Sequence, residues 1–279
     1  MKRNLLILSF PIICALALAS CGPKNYVKTD LLSTHTTVSP EAMSSEAQTT
    51  EPVKIQDTEA PSSSSTTGKD AGIKVSTAIQ TYKEGLISIQ YPLISGLGDS
   101  SKEEAVNALF KSNALEILKA YPVNTEKDTL SITCKVISAD RKRTTAVYTG
   151  SYTGAQAPYP VQIFFTNTVD MSQAKDISLK DYADSYTLAG YILSEDCRFY
   201  NTSPELTEAL MAQRTDTSLE EYTKLLNQAD FPLKEASSDG TSAFPQSFSY
   251  EDQGTIIVSV PVPHALGDFA LIEYSPETK

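Results

Sequence analysis

The chain predicts an α+β fold, an antiparallel β-sheet with helices packed mainly on one face. Three observations carry this reading. Alternating apolar and polar runs group near 73–91 and 129–166 and again near 244–274. One strongly amphipathic helix pattern spans 101–121, and capped helical patterns fill 178–228. Strands gathered at both ends with helices between them favour α+β over a regular βαβ alternation. Residues 73–279 supply about 200 residues, ample for one sizeable core.

The first strand begins near Ile73, where Ile73, Val75 and Thr77 alternate with Lys74 and Ser76. Leu86 to Tyr91 forms a second, with Lys83-Glu84-Gly85 as the hairpin turn between them. Ser101-x-x-Glu104 reads as a capping box opening the long helix. Val106, Leu109, Phe110, Ala114, Ile117, Leu118 and Tyr121 give it one apolar stripe, and Pro122 stops it.

Thr129 to Ser138 alternates Leu130, Ile132, Cys134 and Val136 with polar residues. A polar turn at 139–142 returns the chain into a strand from Thr144 to Tyr152. The stretch Thr144 to Tyr182 organises the domain: that strand, an Ala/Gln/Pro loop after Gly154, a second strand from Val161 to Thr166, and a turn at Asp170 to Lys175. Ser178-x-x-Asp181, Ser203 followed by Pro204, and Ser218-x-x-Glu221 mark three helix starts. Phe231-Pro232 ends the last helix. Ile256 to Val262 and Phe269 to Tyr274 close the chain as two strands, with Phe244, Phe248 and Tyr250 before them.

Residues 1–20 read as a leader. Lys2 and Arg3 precede the apolar run Leu5 to Leu18, which is short for a spanning helix. Leu18-Ala19-Ser20-Cys21 matches a bacterial lipobox, so Cys21 is the expected lipid attachment and the cell membrane, on its extracytoplasmic face, the expected location. Two acyl chains on such a cysteine give stable anchoring. Residues 21–72 form a Ser/Thr/Pro-rich tether with no apolar periodicity, a composition too polar to offset chain entropy. Its r.m.s. reach is about 40 Å. A single α+β extracellular domain, 73–279, follows.

The formal net charge of −11 becomes −13 once the leader, which carries two positive charges and no negative ones, is removed. This acidity argues against nucleic acid and anionic lipid surfaces as partners and permits basic ones. Two of the four cysteines, Cys14 and Cys21, lie in the leader and lipobox. Cys134 and Cys197 remain. In an exported protein they could pair as a disulfide, or Cys134 could be a small core residue among Leu130, Ile132 and Val136.

Chemistry is sparse. His35 falls in the tether and His264 is the folded part's one histidine, so a His-based triad and a His/Cys metal site both lack partners in sequence. Gly150-Ser151-Tyr152-Thr153-Gly154 is out of frame for a GxSxG elbow. The acidic pairs Glu103-Glu104, Glu195-Asp196, Glu220-Glu221 and Glu251-Asp252 suit helix starts and turns as well as glycoside chemistry. No cofactor motif is present. The expected surface for recognition is the aromatic loop region: Tyr152, Gln156, Pro158 and Tyr159, together with His264 and Asp268 from the turn Pro263 to Asp268.

Several segments taken in order resemble one family of bacterial extracellular domains. They are Ile89-Gln90-Tyr91-Pro92, Tyr152-Thr153-Gly154-Ala155, Thr168-Val169-Asp170 with Ile177-Ser178-Leu179-Lys180-Asp181, and His264-Ala265-Leu266-Gly267-Asp268. The family includes the lysozyme-sensing ectodomain of an anti-sigma factor and an N-terminal module of some peptidoglycan deacetylases. Gln156 stands where relatives often carry His, and Ala157 intervenes before Pro158. The resemblance implies a binding or sensor-like domain without catalytic residues, directed at peptidoglycan or a basic secreted protein such as a muramidase. A carboxylate-based wall hydrolase and a structural envelope lipoprotein are the alternatives.

Overall fold

Strand β1 (Ser76–Glu84) and strand β2 (Ile87–Ser95) form the expected hairpin through Gly85. Gly85 has φ +54°, and a Cβ there would lie 2.1 Å from the Thr125 carbonyl oxygen, so the turn requires glycine. The structure is a computed structural model that describes residues 74–121, 123–234 and 244–276. The leader, Cys21, His35 and the tether lie outside the described residues.

Helix α1 (Ser100–Leu115) follows β2, then the single turn α2 (Ile117–Ala120). The start of α1 differs in detail from the capping-box expectation. Asp99 is the N-cap and accepts from Lys102 N at 3.1 Å. Glu103 turns back to accept the N–H groups of Gly96 and Leu97. Carboxylates at both places suit the helix N-terminus, where backbone donors are unpaired.

Strands β3 (Thr129–Ala139), β4 (Arg143–Thr153), β5 (Val161–Asp170) and β6 (Lys175–Ile177) complete a six-stranded sheet in the order β1-β2-β3-β4-β5-β6. Its neighbours are antiparallel except β2 and β3, which run parallel across the crossover that contains α1. Pairing sets Cys134 opposite Tyr148 and Tyr148 opposite Phe165. Tyr148 and Phe165 stack with centroids 4.3 Å apart. Val106, Phe110, Ala114 and Ile117 pack into the same core as Ile87, Ile89, Leu130, Ile132 and Phe165, so the helix stripe and the strand alternation meet as expected. Asn113 is also buried, and its amide reaches Asn167 and Asp176 in the sheet.

The remaining strands make a second sheet, β7 (Arg198–Phe199), β10 (Phe269–Tyr274), β9 (Thr255–Pro261) and β8 (Ser249–Asp252) in that order. The α+β class holds, and the strands divide between two sheets where the sequence suggested one. The smaller sheet is buried on both faces. Ile257 and Leu271 enter the first core, whereas Ile256, Val258, Val260, Ala270 and Ile272 enter a second. Helices α3 (Ser185–Leu193), α4 (Pro204–Gln213) and α5 (Leu219–Asn227) complete that second core with Leu188, Ile192, Leu210 and Leu226. A strand buried on both sides reads as a continuous apolar run, and Ile256-Ile257-Val258 is one.

The helix-start motifs are occupied. Ser203 and Ser218 cap α4 and α5, with the reciprocal Glu221 bond present in the latter. Ser178 and Asp181 form a complete capping box as well, but on a 3-10 turn, while Asp184 caps α3. Arg214, buried after α4, donates Nη1 to the Leu193 carbonyl at 2.6 Å and so satisfies the end of α3.

The disulfide alternative is overturned. Cys134 and Cys197 are both free and buried, the first in the first core and the second in the other. Each is one small apolar side chain among its own set of neighbours. Burial pushes the Cys134 thiol up to about 12 and the Cys197 thiol up to about 11.

Candidate functional site

Three segments meet at one end of the larger sheet. The connection from α2 to β3 brings Tyr121 and Asp128, the β4–β5 loop brings residues 154–160, and the β9–β10 turn brings His264 and Asp268. Tyr152, the penultimate residue of β4, touches the first of them twice. Its ring lies 4.8 Å from Tyr121, and its hydroxyl donates to Asp128 Oδ2 at 3.3 Å.

Asp128 organises the first half of the site. It accepts from Asn124 N at 2.8 Å on one oxygen and from Ala155 N at 2.8 Å on the other. The N–H of Asn124, then that of Ala155, holds its carboxyl below the usual carboxylate range. The β4–β5 loop is thereby fixed at its base, and a turn bond from Ala157 N to Gly154 O closes it. Burial, followed by the charge of Asp128, raises the Tyr152 phenol; burial, followed by the charge of Asp268, raises that of Tyr121.

Asp268 organises the other half. One oxygen accepts from Gln162 N at 2.7 Å, and the other lies 2.8 Å from His264 Nδ1. Asp268 thus satisfies a backbone N–H near the start of β5, well before Thr168–Asp170, where β6 pairs. Gly267 and Asp268 both take left-handed backbone conformations, φ 102° and 72°. That pair of residues aims the carboxylate back at β5 and places the imidazole beside it. With Nδ1 directed at Asp268, the imidazole leaves Nε2 as its outward group.

Tyr159 stands over this histidine. Its ring is 6.2 Å from that of His264, and it is 67% exposed, the highest value for a large apolar side chain among the described residues. Gln156 and Pro158 are exposed on the same loop. The structure therefore brings Tyr152, Gln156, Pro158, Tyr159, His264 and Asp268 to one rim. Tyr152 and Asp268 have their polar atoms engaged within the protein, whereas Tyr159, Gln156 and the outer nitrogen of His264 face outward.

Two members of the site escaped the sequence reading. Tyr121 appeared only as the last residue of a helix stripe, and Asp128 was not singled out. Neither sits in a local motif, because both act through contacts with Tyr152 and Ala155 that lie about 25–30 residues away along the chain. Among the described residues, no group of three His, Cys, Asp or Glu side chains is placed to hold a metal ion. No hydrogen bond joins His264 to a serine or cysteine among them.

No family model and no curated protein matches the chain. Solved structures do resemble it. One is a DUF3298 family member from Bacteroides fragilis, 12% identical, covering 75% of this chain and 92% of that one with a TM-score of 0.38. Another is a DUF3298 family protein from Pseudomonas aeruginosa, 11% identical, covering 69% of this chain and 84% of that one with a TM-score of 0.33.

Proposed function

We propose that the protein is a lipid-anchored, non-enzymatic binding domain at the outer face of the cell membrane, and that the rim around Tyr159 and His264 is its recognition surface. Its ligand is cell-wall material or a basic secreted protein. The observation that carries the reading is the exposed Tyr159 ring standing over His264 on a loop fixed at its base by Asp128. An aromatic side chain held out on a rigid loop supplies contact area at low entropic cost. The lipobox at Cys21 supports the anchor, and the acidic chain supports a neutral or basic ligand over nucleic acid.

Two measurements test this. The purified protein is sedimented with peptidoglycan and, separately, passed over immobilised lysozyme as a basic muramidase at low and high salt. Binding to either is expected, weakened about tenfold or more by Tyr159→Ala, as for a central aromatic anchor. A basic protein ligand adds an association rate that falls steeply with salt, because the screening length drops from about 10 Å at 0.1 M to 3 Å at 1 M. Binding to neither probe, or binding indifferent to Tyr159, removes the proposal. Release of muropeptides from the peptidoglycan replaces it with a hydrolase.

A further inference from the structure

β1 is the outermost strand of the larger sheet, and nearly all of its nine residues are exposed. Among the described residues β2 is the one strand it pairs with, so alternate backbone N–H and C=O groups face outward. Natural edge strands are blunted by proline, bulges, shortness or inward-pointing charge. β1 has none of these devices along its middle. It pairs with β2 from Ser76 to Glu84 without a register shift, contains no proline, and keeps its charges at the end, at Lys83 and Glu84. Ile79, its fourth residue, is 43% exposed.

We propose that this edge is an interface between two copies of the chain. β1 pairs antiparallel with β1 of the second copy about a two-fold axis at Ile79, joining two six-stranded sheets into one. The register follows from symmetry and side-chain chemistry. In an isologous antiparallel pair, residues opposite one another lie equally far on either side of the axis. An axis at Ile79 sets Ile79 against its own copy, Thr77 against Thr81, and Lys74, which lies two residues before β1, against Glu84 at both ends of a pairing extended by those two residues. An axis at Gln80 sets Ser76 against Glu84 and Thr77 against Lys83. One at Thr81 sets Ile79 against Lys83, and one at Ala78 sets Lys74 against Tyr82. Ile79 alone among these centres gives apolar against apolar in the middle and opposite charges at the ends. Thr–Thr and opposite-charge cross-strand pairs are favourable, and like charges in those places are not. This self-complementarity of charge selects a second copy over a foreign strand, and it is independent of the site around Tyr159.

The test uses the full chain. Ile79→Cys, treated with copper phenanthroline, is expected to give a covalent dimer joined at position 79 above the background of the unsubstituted chain. Directly opposed cross-strand Cβ atoms are about 5 Å apart, within small adjustments of disulfide reach. Gln80→Cys is opposite Ala78 in this register, two residues out of step with its own copy, and is expected to cross-link more slowly. Lys74→Glu and Glu84→Lys are each expected to weaken self-association by about tenfold, since each turns two attractive pairs into repulsive ones. The double exchange restores it. The proposal is overturned by a monomer at the highest soluble concentration, by an exchange as weak as the single variants, or by cross-linking at 79 no faster than at 80. A cross-linked product of mass other than twice the chain also overturns it and assigns the edge to a foreign strand.

Discussion

Asp230 and Ser249 are joined twice: Ser249 donates its backbone N–H to one carboxylate oxygen of Asp230 at 2.6 Å and its hydroxyl to the other. The same carboxyl accepts Leu179 N at 2.8 Å, and the Tyr182 hydroxyl bonds Ser249 Oγ. Asp230 is thereby the point where the 3-10 turn at 179–181, the chain leaving α5, and β8 are fastened together. It is fully buried, with no cation paired to it in a salt bridge among the described residues.

Asp230→Asn is expected to destabilise the fold by about 2–3 kcal/mol. The amide offers one acceptor oxygen where the carboxyl offers two, so a buried N–H or hydroxyl loses its partner. Urea unfolding measures the loss. A change below about 0.5 kcal/mol would show that the three elements hold without this fastening.

The same residue sets a pH dependence. Burial, opposed by the Ser249 and Leu179 donors, pushes its carboxyl up to about 7. The folded state then binds the proton more tightly than the unfolded chain, whose aspartates titrate near 3.9. Its stabilising contribution is full below that range and is lost as pH rises through about 7. The stability gap between the natural chain and Asp230→Asn is therefore expected to narrow between pH 4 and pH 7.5. A gap that widens over that interval means the three donors outweigh burial.

Gly150→Ala is expected to cost about 1–3 kcal/mol or more, because the strand cannot make room for it. An added Cβ would lie 1.9 Å from the Ser131 carbonyl oxygen and 2.9 Å from Ile132 Cα in the neighbouring strand. Backbone atoms of β3 would have to move. A variant as stable as the natural chain in thermal unfolding would contradict the close approach of β3 and β4.

Cys134 and Cys197 are expected to resist alkylation in the native protein at pH 8 and to react fully in denaturant. The thiolate is the reactive form, and burial suppresses it at both. Peptide mass mapping with and without reductant also distinguishes free thiols from a bridge. Rapid native labelling of either residue would place it on the surface.

Much of the fold was legible because its signals are local. β10 spans Phe269–Tyr274, the stretch expected as the last strand, and β3 and β4 extend the expected strands by only a few residues. Capping motifs at Ser203 and Ser218 mark real helix starts because the bonds they make lie within one turn. The helix stripe was right in period and imperfect in membership. Phe110 is fully buried, Leu109 only partly, and the polar Asn113 takes a buried place because Asn167 and Asp176 satisfy it. The division into two sheets was illegible, since strands buried on one face and on both faces are separated only by what lies across them. The short β7 left no period to read. The candidate rim was legible through its exposed aromatics, and its supports at Tyr121 and Asp128 were not.

Phe110→Ala is accordingly expected to cost about 3–5 kcal/mol, and Leu109→Ala distinctly less. Equal losses in urea unfolding would mean that α1 is rotated about its axis from the orientation described.

Asp268 has a consequence for assembly as well as for the rim. It occupies the Gln162 N–H near the start of β5, and β6 is laid along residues 168–170 at the other end, so both ends of this flank are obstructed. Among the described residues the β6 flank ends in a strand of three residues, whereas the β1 flank offers nine. A sheet that can be extended from one side alone forms pairs and then has nothing further to add, so two copies joined through β1 terminate rather than polymerise. The residue that frames the histidine would thus also help to guard the protein against fibre growth.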